Sequence, residues 1–353
     1  MGMVARHRNP VRGSWPTGLA AGCVALVAAG VYLALSVAQA VKGDDSPISP
    51  TGVFISSSPV RVPVNDLGPA TRDENSAVGP VAAESATPLP LPAGVVPLKP
   101  SERLNQAIQV AAGEDGDHIS VSVKRLTDGV SAEFGGDIQY YAASTFKLAV
   151  LYEAALRLSR GDLYYDDHLF ISDADAAEDL GTSGYLQFED DGSITVRNLL
   201  TPMIEVSDNS SAVTLLHAFG SGNVDDTLRA LGIPTMTVNH EELWTTADDL
   251  ARLMEAIYNG EGVAPAERDM MRSLLLAQTV RSGIPSALQD EIDRGLRVGN
   301  KTGTWEGAQH DVAFVESPSG VYVIAVLTDG SYEGWLAMHR VAQTVHQTLA
   351  ATP

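Results

Sequence analysis

Strand-like sequence stands at both ends of residues 101–353, and helix-like sequence fills the middle. Residues 119–123 alternate apolar and polar side chains, and residues 130–134 can pair with them across a turn at Asp128-Gly129. Three further strand-like runs lie near the end of the chain: 296–305, 311–316 and 321–327. Because strands must pair to satisfy their backbone groups, we expect the two ends to share one antiparallel sheet.

Helical sequence surrounds and separates these strands. Residues 101–112 have apolar positions at helical spacing, with Ser101 as the expected N-cap. Residues 144–276 are mostly of helical type, and an amphipathic helix closes the chain. The pattern predicts an α/β (α+β) fold of two lobes. An antiparallel sheet flanked by N- and C-terminal helices forms one lobe, and helices alone form the other.

The first 42 residues have the features of a membrane anchor. Arg6, Arg8 and Arg12 precede an uncharged apolar stretch over residues 16–41, and about 25 such residues suffice to cross a bilayer. Positive charge on the N-terminal side favours a cytoplasmic N-terminus. We therefore expect a single-pass signal-anchor at residues 1–42 and an extracytoplasmic remainder. Cleavage near Ala40, giving a secreted protein, is the alternative.

Residues 43–100 differ from the segments on either side. Pro, Ser, Val and Ala dominate, and neither a helical nor an alternating period persists. This composition predicts a disordered linker. The domain organisation expected is therefore an anchor at 1–42, a linker at 43–100 and a catalytic domain at 101–353.

Charge and composition exclude several classes of ligand. The formal net charge is −21, so the chain lacks the excess of cations that would neutralise nucleic-acid phosphates. The segment His240-Glu241-Glu242 is not followed by the second helical histidine of a zinc protease motif. The single cysteine, Cys23, allows no disulfide within the chain. We expect no nucleic-acid partner, no metal and no cofactor.

Three short motifs carry the candidate chemistry, and they are the strings Ser144-Thr145-Phe146-Lys147, Ser207-Asp208-Asn209 and Lys301-Thr302-Gly303. The first opens an apolar helix, on which residues three apart share a face, so Lys147 can direct its amine at the Ser144 hydroxyl. The second precedes a predicted helix. The third lies in a predicted strand, where Gly303 allows close approach of a substrate or of another backbone.

With these motifs in this order, residues 101–350 resemble the class A β-lactamases and the related penicillin-recognising serine enzymes. The resemblance implies that Ser144 attacks an amide carbonyl and forms an acyl-enzyme, with Lys147 as its base and Lys301 as a second cation. It implies that Ser207 relays a proton to the leaving nitrogen. The resemblance implies that the Asn209 side chain holds the substrate amide and orients Lys147. Substrate is also expected to contact the backbone or side chains of Thr302, Gly303 and Thr304. The expected activity is that of a β-lactamase, EC 3.5.2.6.

The chain departs from the class A pattern after Ser207. Class A enzymes clear the acyl group with a glutamate on a loop, and here the corresponding stretch, residues 231–246, is short. Glu241 and Glu242 are the candidate replacements, with a solvated turn as the alternative. Gln309 and His310 stand where many relatives have an arginine. Tyr185 is a candidate wall of the cleft, with buried packing as the alternative.

Three functions stay open on this basis. The first is hydrolysis of β-lactams through acyl-Ser144. The second is a D,D-peptidase or esterase acting on peptidoglycan or on another amide or ester. The third is a penicillin-acylated sensor or binding module that does not turn over.

Overall fold

The computed structural model describes residues 98–239, 242–330 and 334–352. The predicted anchor at 1–42 and nearly all of the predicted linker at 43–100 lie outside the described residues. Within the described part, no helix is both long enough and apolar enough to cross a bilayer.

The central sheet has five antiparallel strands. They are β1 (Ile119–Arg125), β2 (Ser131–Phe134), β7 (Arg297–Trp305), β8 (Ala308–Ser317) and β9 (Gly320–Thr328). Their spatial order is β2-β1-β9-β8-β7, so β1 pairs with β9 across more than 190 residues of sequence. The expectation that the two ends of the region share one antiparallel sheet is confirmed, and β7 forms one edge of that sheet.

Strands β8 and β9, in the interior of the sheet, are buried on both faces because helices cover each face. Val323 and Ala325 pack with the helical lobe, whereas Ile324 and Val326 face helices α1 (Pro100–Ala112) and α11 (Gly334–Ala350). Each apolar side chain buried in this way stabilises the fold by about 1.5–3 kcal/mol. Two-sided burial explains why these strands read as nearly continuous apolar runs.

The helical lobe lies between the two parts of the sheet in sequence. Its helices are α2 (Lys147–Arg160), α3 (Asp173–Ala176), α4 (Val196–Glu205), α5 (Asn209–Phe219), α6 (Ser221–Ala230), α7 (Ala247–Asn259) and α8 (Pro265–Leu276), followed by the short α9 (Ile284–Ala287) and α10 (Gln289–Ile292). Helix α2 is the centre of this lobe, with every residue of its first ten buried. A helix buried on all sides fixes the position of whatever stands at its N-terminus, here the Ser144 segment.

Two small antiparallel pairs complete the fold: β3 (Tyr140–Tyr141) with β6 (Trp244–Thr245), and β4 (His168–Leu169) with β5 (Ile194–Thr195). One local prediction was wrong. Ser101 is the second residue of α1 rather than its cap, because Pro100, whose missing N–H costs nothing there, begins the helix. The Ser101 hydroxyl instead accepts a hydrogen bond from the Ser131 N–H on β2.

Candidate active site

Ser144 lies in a single 3-10 turn, Ala143–Phe146, that leads directly into α2. The turn is fixed at its start, because the Ala142 N–H donates to the Leu243 carbonyl at 2.6 Å and the Thr145 hydroxyl donates to the Ala142 carbonyl at 2.5 Å. Ser144 itself is half-buried, between two buried neighbours. The fold therefore holds this hydroxyl at a helix N-terminus with access to solvent.

The two motif lysines meet at Ser207. Lys147 Nζ lies 2.5 Å from the Ser207 carbonyl oxygen, 2.6 Å from Asn209 Oδ1 and 3.2 Å from Ser207 Oγ. Lys301 Nζ donates to Ser207 Oγ at 2.8 Å and to its neighbour's carbonyl, that of Thr302, at 2.9 Å. The three motifs, spread over more than 150 residues, thus converge on one site.

The expected pairing of Lys147 with Ser144 is not formed. Among the described residues, no hydrogen bond joins the Ser144 hydroxyl to either amine, although Lys147 follows it by one helical turn. The reason is local. The Ser207 carbonyl oxygen and Asn209 Oδ1 can only accept hydrogen bonds, and they engage two N–H groups of Lys147. Catalytic hydrogen bonds are often long or unformed until substrate binds, so Ser144 stays a candidate nucleophile.

Burial changes the protonation of both amines. Lys147 and Lys301 are fully buried. Burial, followed by the charge of Lys301, lowers the pKa of Lys147 well below its usual 10.5. Burial also lowers the pKa of Lys301 to about 7, against the opposing charge of Asp311. A neutral Lys147 has two N–H donors and one lone pair, and since the two carbonyl-type acceptors take the donors, the lone pair is left for a hydroxyl.

The Ser207-Asp208-Asn209 segment is braced by a network that the sequence did not indicate. Asp208 caps α5, accepting from the Ser211 N–H at 2.6 Å, and also accepts from the Thr182 hydroxyl at 2.6 Å. Thr182 belongs to a turn folded around the carboxylate of Asp179. These bonds fix Ser207 and Asn209 on either side of Asp208. Asp208 thus braces the segment that carries Ser207 and Asn209.

Backbone strain is concentrated at the site. In the described part of the chain, the non-glycine residues with positive φ are Ala143 at 44°, Ser207 at 63° and Glu306 at 45°. Ala143 directly precedes Ser144, Ser207 is the residue that both lysine amines contact, and Glu306 lies in the turn after β7. Such conformations cost about 1–3 kcal/mol each and persist only where the surroundings enforce them. The strain therefore marks this region independently of the motifs.

Strand β7 presents its unpaired edge to the nucleophile segment. Gly303 lies so close that a Cβ there would come within 2.9 Å of the Ala142 carbonyl oxygen and 3.1 Å of the Thr145 N–H nitrogen. Only glycine permits this approach, as the sequence predicted. Thr302 is buried, whereas Thr304 is exposed one residue beyond Gly303. Both lie next to Lys301 on the same edge, where substrate-contacting groups were expected.

Strand β8, which pairs with β7, contributes a buried carboxyl close to Lys301. Asp311 accepts from Asn300 Nδ2 at 2.9 Å and from the Ile284 N–H at 2.8 Å. Burial raises its pKa to about 7. The charge of Asp311 favours the protonated form of Lys301, and so this residue belongs to the site although no role was predicted for it. The signal in the sequence was an acidic residue directly before the apolar run at 312–315.

His310 binds the backbone that leads into the Ser144 turn. It is fully buried, and its Nδ1 accepts from the Thr328 N–H at 3.3 Å, so the proton lies on Nε2 and is donated to the Tyr141 carbonyl at 2.9 Å. Burial lowers the pKa of this imidazole to about 4. The ring thus positions the backbone three residues before Ser144.

The remaining candidates lie apart from this network. Glu242 is described and exposed, while Glu241 lies outside the described residues. Tyr185 is 61% exposed, which contradicts buried packing. In the described part of the chain, no hydrogen bond or ion pair joins the side chain of Glu242 or Tyr185 to Lys147 or Lys301.

Other features of the described residues offer no competing chemistry. No group of three or more His, Cys, Asp or Glu side chains is arranged to hold a metal in that part of the chain. A cavity of about 870 Å³ lies between α1, β1–β2 and α7, and residues such as Asn105, Ser122 and Glu255 line it. It contains none of the motif residues, so volume alone does not identify the site.

Comparisons with known proteins agree with this geometry. The sequence profile of the β-lactamase enzyme family matches residues 101–349. A comparison with curated protein sequences found no match.

Solved structures share the fold. PBP-A is 21% identical, with a TM-score of 0.63, over 70% of this chain and 96% of its own; its L158E mutant has been solved as an acyl-enzyme complex with penicillin G. A β-lactamase from Sphaerobacter thermophilus is 24% identical, with a TM-score of 0.63, over 70% of this chain and 98% of its own. One from Xanthomonas campestris is 18% identical, with a TM-score of 0.62, over 71% and 99%. At these identities the likeness establishes the fold, and the two-lobed architecture predicted from sequence is confirmed.

Proposed function

Because this chain belongs to the β-lactamase enzyme family and is a β-lactamase-like serine hydrolase, we propose that it opens β-lactam amides through an acyl-Ser144 intermediate. The observation that carries the proposal is the convergence of Lys147 and Lys301 on Ser207 beside the Ser144 turn. This arrangement supplies a neutral base, a proton relay and a cation within one cleft.

In the acylation step, the Ser144 oxygen attacks the lactam carbonyl carbon while its proton passes to the lone pair of Lys147. The N–H groups of Ser144 and Thr304 are the candidate donors to the developing oxyanion, the first at a helix N-terminus and the second on a sheet edge. When the carbon–nitrogen bond breaks, the leaving nitrogen takes a proton through the Ser207 hydroxyl. The proton that Lys147 accepted then passes to Ser207 Oγ, 3.2 Å away, so that Lys147 is neutral again. Lys301 holds the substrate carboxylate, which also contacts Thr302.

Deacylation is proposed as the slow step. A water must attack the Ser144 ester, and a base must take its proton. Glu242 is exposed, and the stretch between α6 and α7 is short. This observation favours a second candidate function, that of a D,D-peptidase. Its acyl group would pass from Ser144 to an amine of peptidoglycan or to water.

The experiment follows the fate of the acyl group. The purified chain is incubated with nitrocefin, with benzylpenicillin and with a peptide ending in D-Ala-D-Ala, and turnover is recorded together with the intact protein mass. Nitrocefin turnover that disappears in Ser144→Ala supports the lactamase. Release of D-Ala without lactam turnover supports the peptidase, and a stable stoichiometric penicillin adduct supports the sensor. Undiminished lactam turnover in Ser144→Ala would overturn the mechanism.

Membrane attachment is a separate proposal, supported by the apolar stretch over residues 16–41 and the arginines before it. Fractionation of cells that express the full chain tests it. We expect the protein in the membrane fraction after a high-salt wash. Release into the medium as a shorter chain would instead support cleavage near Ala40.

A further inference from the structure

Three large aromatic side chains are exposed beside the nucleophile turn. Tyr141, Trp244 and Trp305 keep 38%, 43% and 46% of their surface exposed. Aromatic residues are usually buried, and a contiguous exposed group of them marks a binding surface more often than a chance arrangement. We refer to these three residues as the aromatic platform.

The platform is a single structure built by three elements. Tyr141 and Trp244 are directly opposite each other in the β3–β6 pair, so their side chains lie on the same face. The rings of Tyr141 and Trp305 are in contact, with centroids 6.4 Å apart and planes inclined by 45°. The platform therefore joins the segment before the nucleophile, the stretch before α7 and the end of β7.

Its position relative to the reaction follows from β7. Side chains alternate along a strand, so Lys301, Gly303 and Trp305 share one face. Lys301 reaches Ser207 from that face, and Gly303 contacts the nucleophile turn there. Trp305 is the next residue on the same face, at the end of β7. The platform thus adjoins Thr304 and the Ser144 turn, the groups nearest to any acyl group that Ser144 would carry.

A carboxylate adjoins the platform, because Glu306 directly follows Trp305 in the chain. Burial raises the pKa of the Tyr141 hydroxyl, and the negative charges of Glu178 and Glu306 raise it further. Glu306 is exposed and sits in the two-residue turn Glu306-Gly307 between β7 and β8, with φ of 45°. Such turns favour Asn, Asp or Gly at this position, so the backbone gives no reason for a glutamate. The two amines of the site, those of Lys147 and Lys301, are buried and do not reach this surface.

Aromatic faces with an adjacent carboxylate are suited to an ammonium group. The negative faces of the rings attract a cation, and Trp does so most strongly. The carboxylate adds direct charge pairing at the rim, and the chain as a whole carries a formal charge of −21.

We propose that the aromatic platform, with the adjacent Glu306, binds a primary ammonium group on the acyl part of the substrate. The proposal rests on the acyl-Ser144 function and specifies its substrate class: amides or esters whose acyl side chain carries a free amine. Two sources share this chemistry, an amino-substituted penicillin and a peptide with a free lysine-type amine.

The test uses two pairs of probes that differ mainly in the amine. Ampicillin is compared with benzylpenicillin, and Nα-acetyl-L-Lys-D-Ala-D-Ala with its Nα,Nε-diacetyl form. Second-order acylation rates are measured by intact mass or by release of D-Ala. We expect the free amine to increase the rate on the order of tenfold in at least one pair. The pair that responds identifies the source, and equal rates within both pairs overturn the proposal.

Substitutions locate the effect. Glu306→Gln and Trp305→Ala are expected to remove most of the preference for the amine while the neutral probe of each pair keeps its rate within about twofold. Trp305→Phe should restore part of the preference. Asp290→Asn, an exposed acid in the short α10, is the charge-matched control and should change neither rate.

A binding measurement separates this proposal from the acyl-enzyme mechanism. The two peptides are titrated into Ser144→Ala, with tryptophan fluorescence as the signal. Tighter binding of the free amine that weakens at high salt supports the platform even if no probe acylates Ser144, which would contradict only the proposed function. Indistinguishable affinities for the two peptides, together with normal acylation by the neutral probes, contradict only the platform.

Discussion

Lys147 and Lys301 bring their amines to the same hydroxyl, that of Ser207, at distances of 3.2 and 2.8 Å. The two amines are therefore no more than about 6 Å apart inside a buried site, where like charges strongly disfavour each other. A site of this kind does not keep two full positive charges at neutral pH. The neutral amine that results is the base that a serine nucleophile requires.

The first prediction concerns the pH dependence of acylation. Lys147 must be deprotonated to accept a proton, so the acylation rate should rise with pH through a pKa well below 10.5. In Lys301→Ala the second cation is absent, and this rising limb should move to higher pH because charge repulsion no longer lowers the pKa of Lys147. Stopped-flow acylation by nitrocefin between pH 5 and 10 measures both limbs. A limb that stays at the same pH would contradict the coupling, whatever the variant's absolute rate.

The site could be predicted from the motifs because each motif reflects a local structural requirement. A serine before an apolar helix, a Ser-Asp-Asn string before a second helix and a glycine in a strand each indicate a position in the fold. The sheet was predictable for a similar reason, since alternation and turn residues reveal strands such as β1 and β2. What sequence established was therefore which groups meet.

What the sequence could not indicate was how those groups are paired. Lys147 bonds Asn209, as the resemblance implied, but it was also expected to bond Ser144 and bonds Ser207 instead. Ser207 has a positive φ that no residue preference indicates. Asp311 and His310 act across strands, through registers that only the folded sheet defines. Long-range pairings of this kind arise from packing, not from local pattern.

The second prediction tests the close approach of β7. In Gly303→Ala the new methyl group would press on the Ala142 carbonyl and the Thr145 backbone, neither of which has a flexible end that can move aside. We expect a loss of about 1–3 kcal/mol in the free energy of unfolding and at least a hundredfold slower acylation. Gly222→Ala is the matched control, because a Cβ there meets nothing within 4 Å inside α6. Urea unfolding and acylation rates of the two variants should differ accordingly; similar values would disprove the steric argument.

The third prediction concerns the acidic candidates for deacylation. The Glu242 side chain is exposed, so its carboxylate is hydrated and free of the contacts that would orient a base toward the ester. Glu242→Gln should therefore release the penicilloyl group from Ser144 at the rate of the unmodified chain. The decay of the adduct mass after rapid removal of free penicillin gives this rate. Glu241→Gln is measured in parallel, and a tenfold or greater slowing in Glu242→Gln would assign it the role of base.

The fourth prediction links His310 to stability in acid. Its folded-state pKa of about 4 lies below the unfolded value of 6.5, so the folded protein binds fewer protons between these two pH values. The stability associated with the neutral ring is fully present above pH 6.5 and is lost as the pH falls toward 4. A difference of this size corresponds to about 3 kcal/mol in the free energy of unfolding.

His310→Gln provides the comparison for that prediction, since an amide can still donate to the Tyr141 carbonyl but does not titrate. Its stability at neutral pH should be lower than that of the unmodified chain, because the bond from the Thr328 N–H to Nδ1 is lost or lengthened. Between pH 6.5 and 4, however, its free energy of unfolding should fall less steeply, by up to about 3 kcal/mol over the interval. Urea unfolding at pH 7.5, 5.5 and 4.5 gives both slopes. Parallel slopes would mean that His310 is protonated without penalty in the folded state, and that burial does not hold this ring neutral beneath the nucleophile turn.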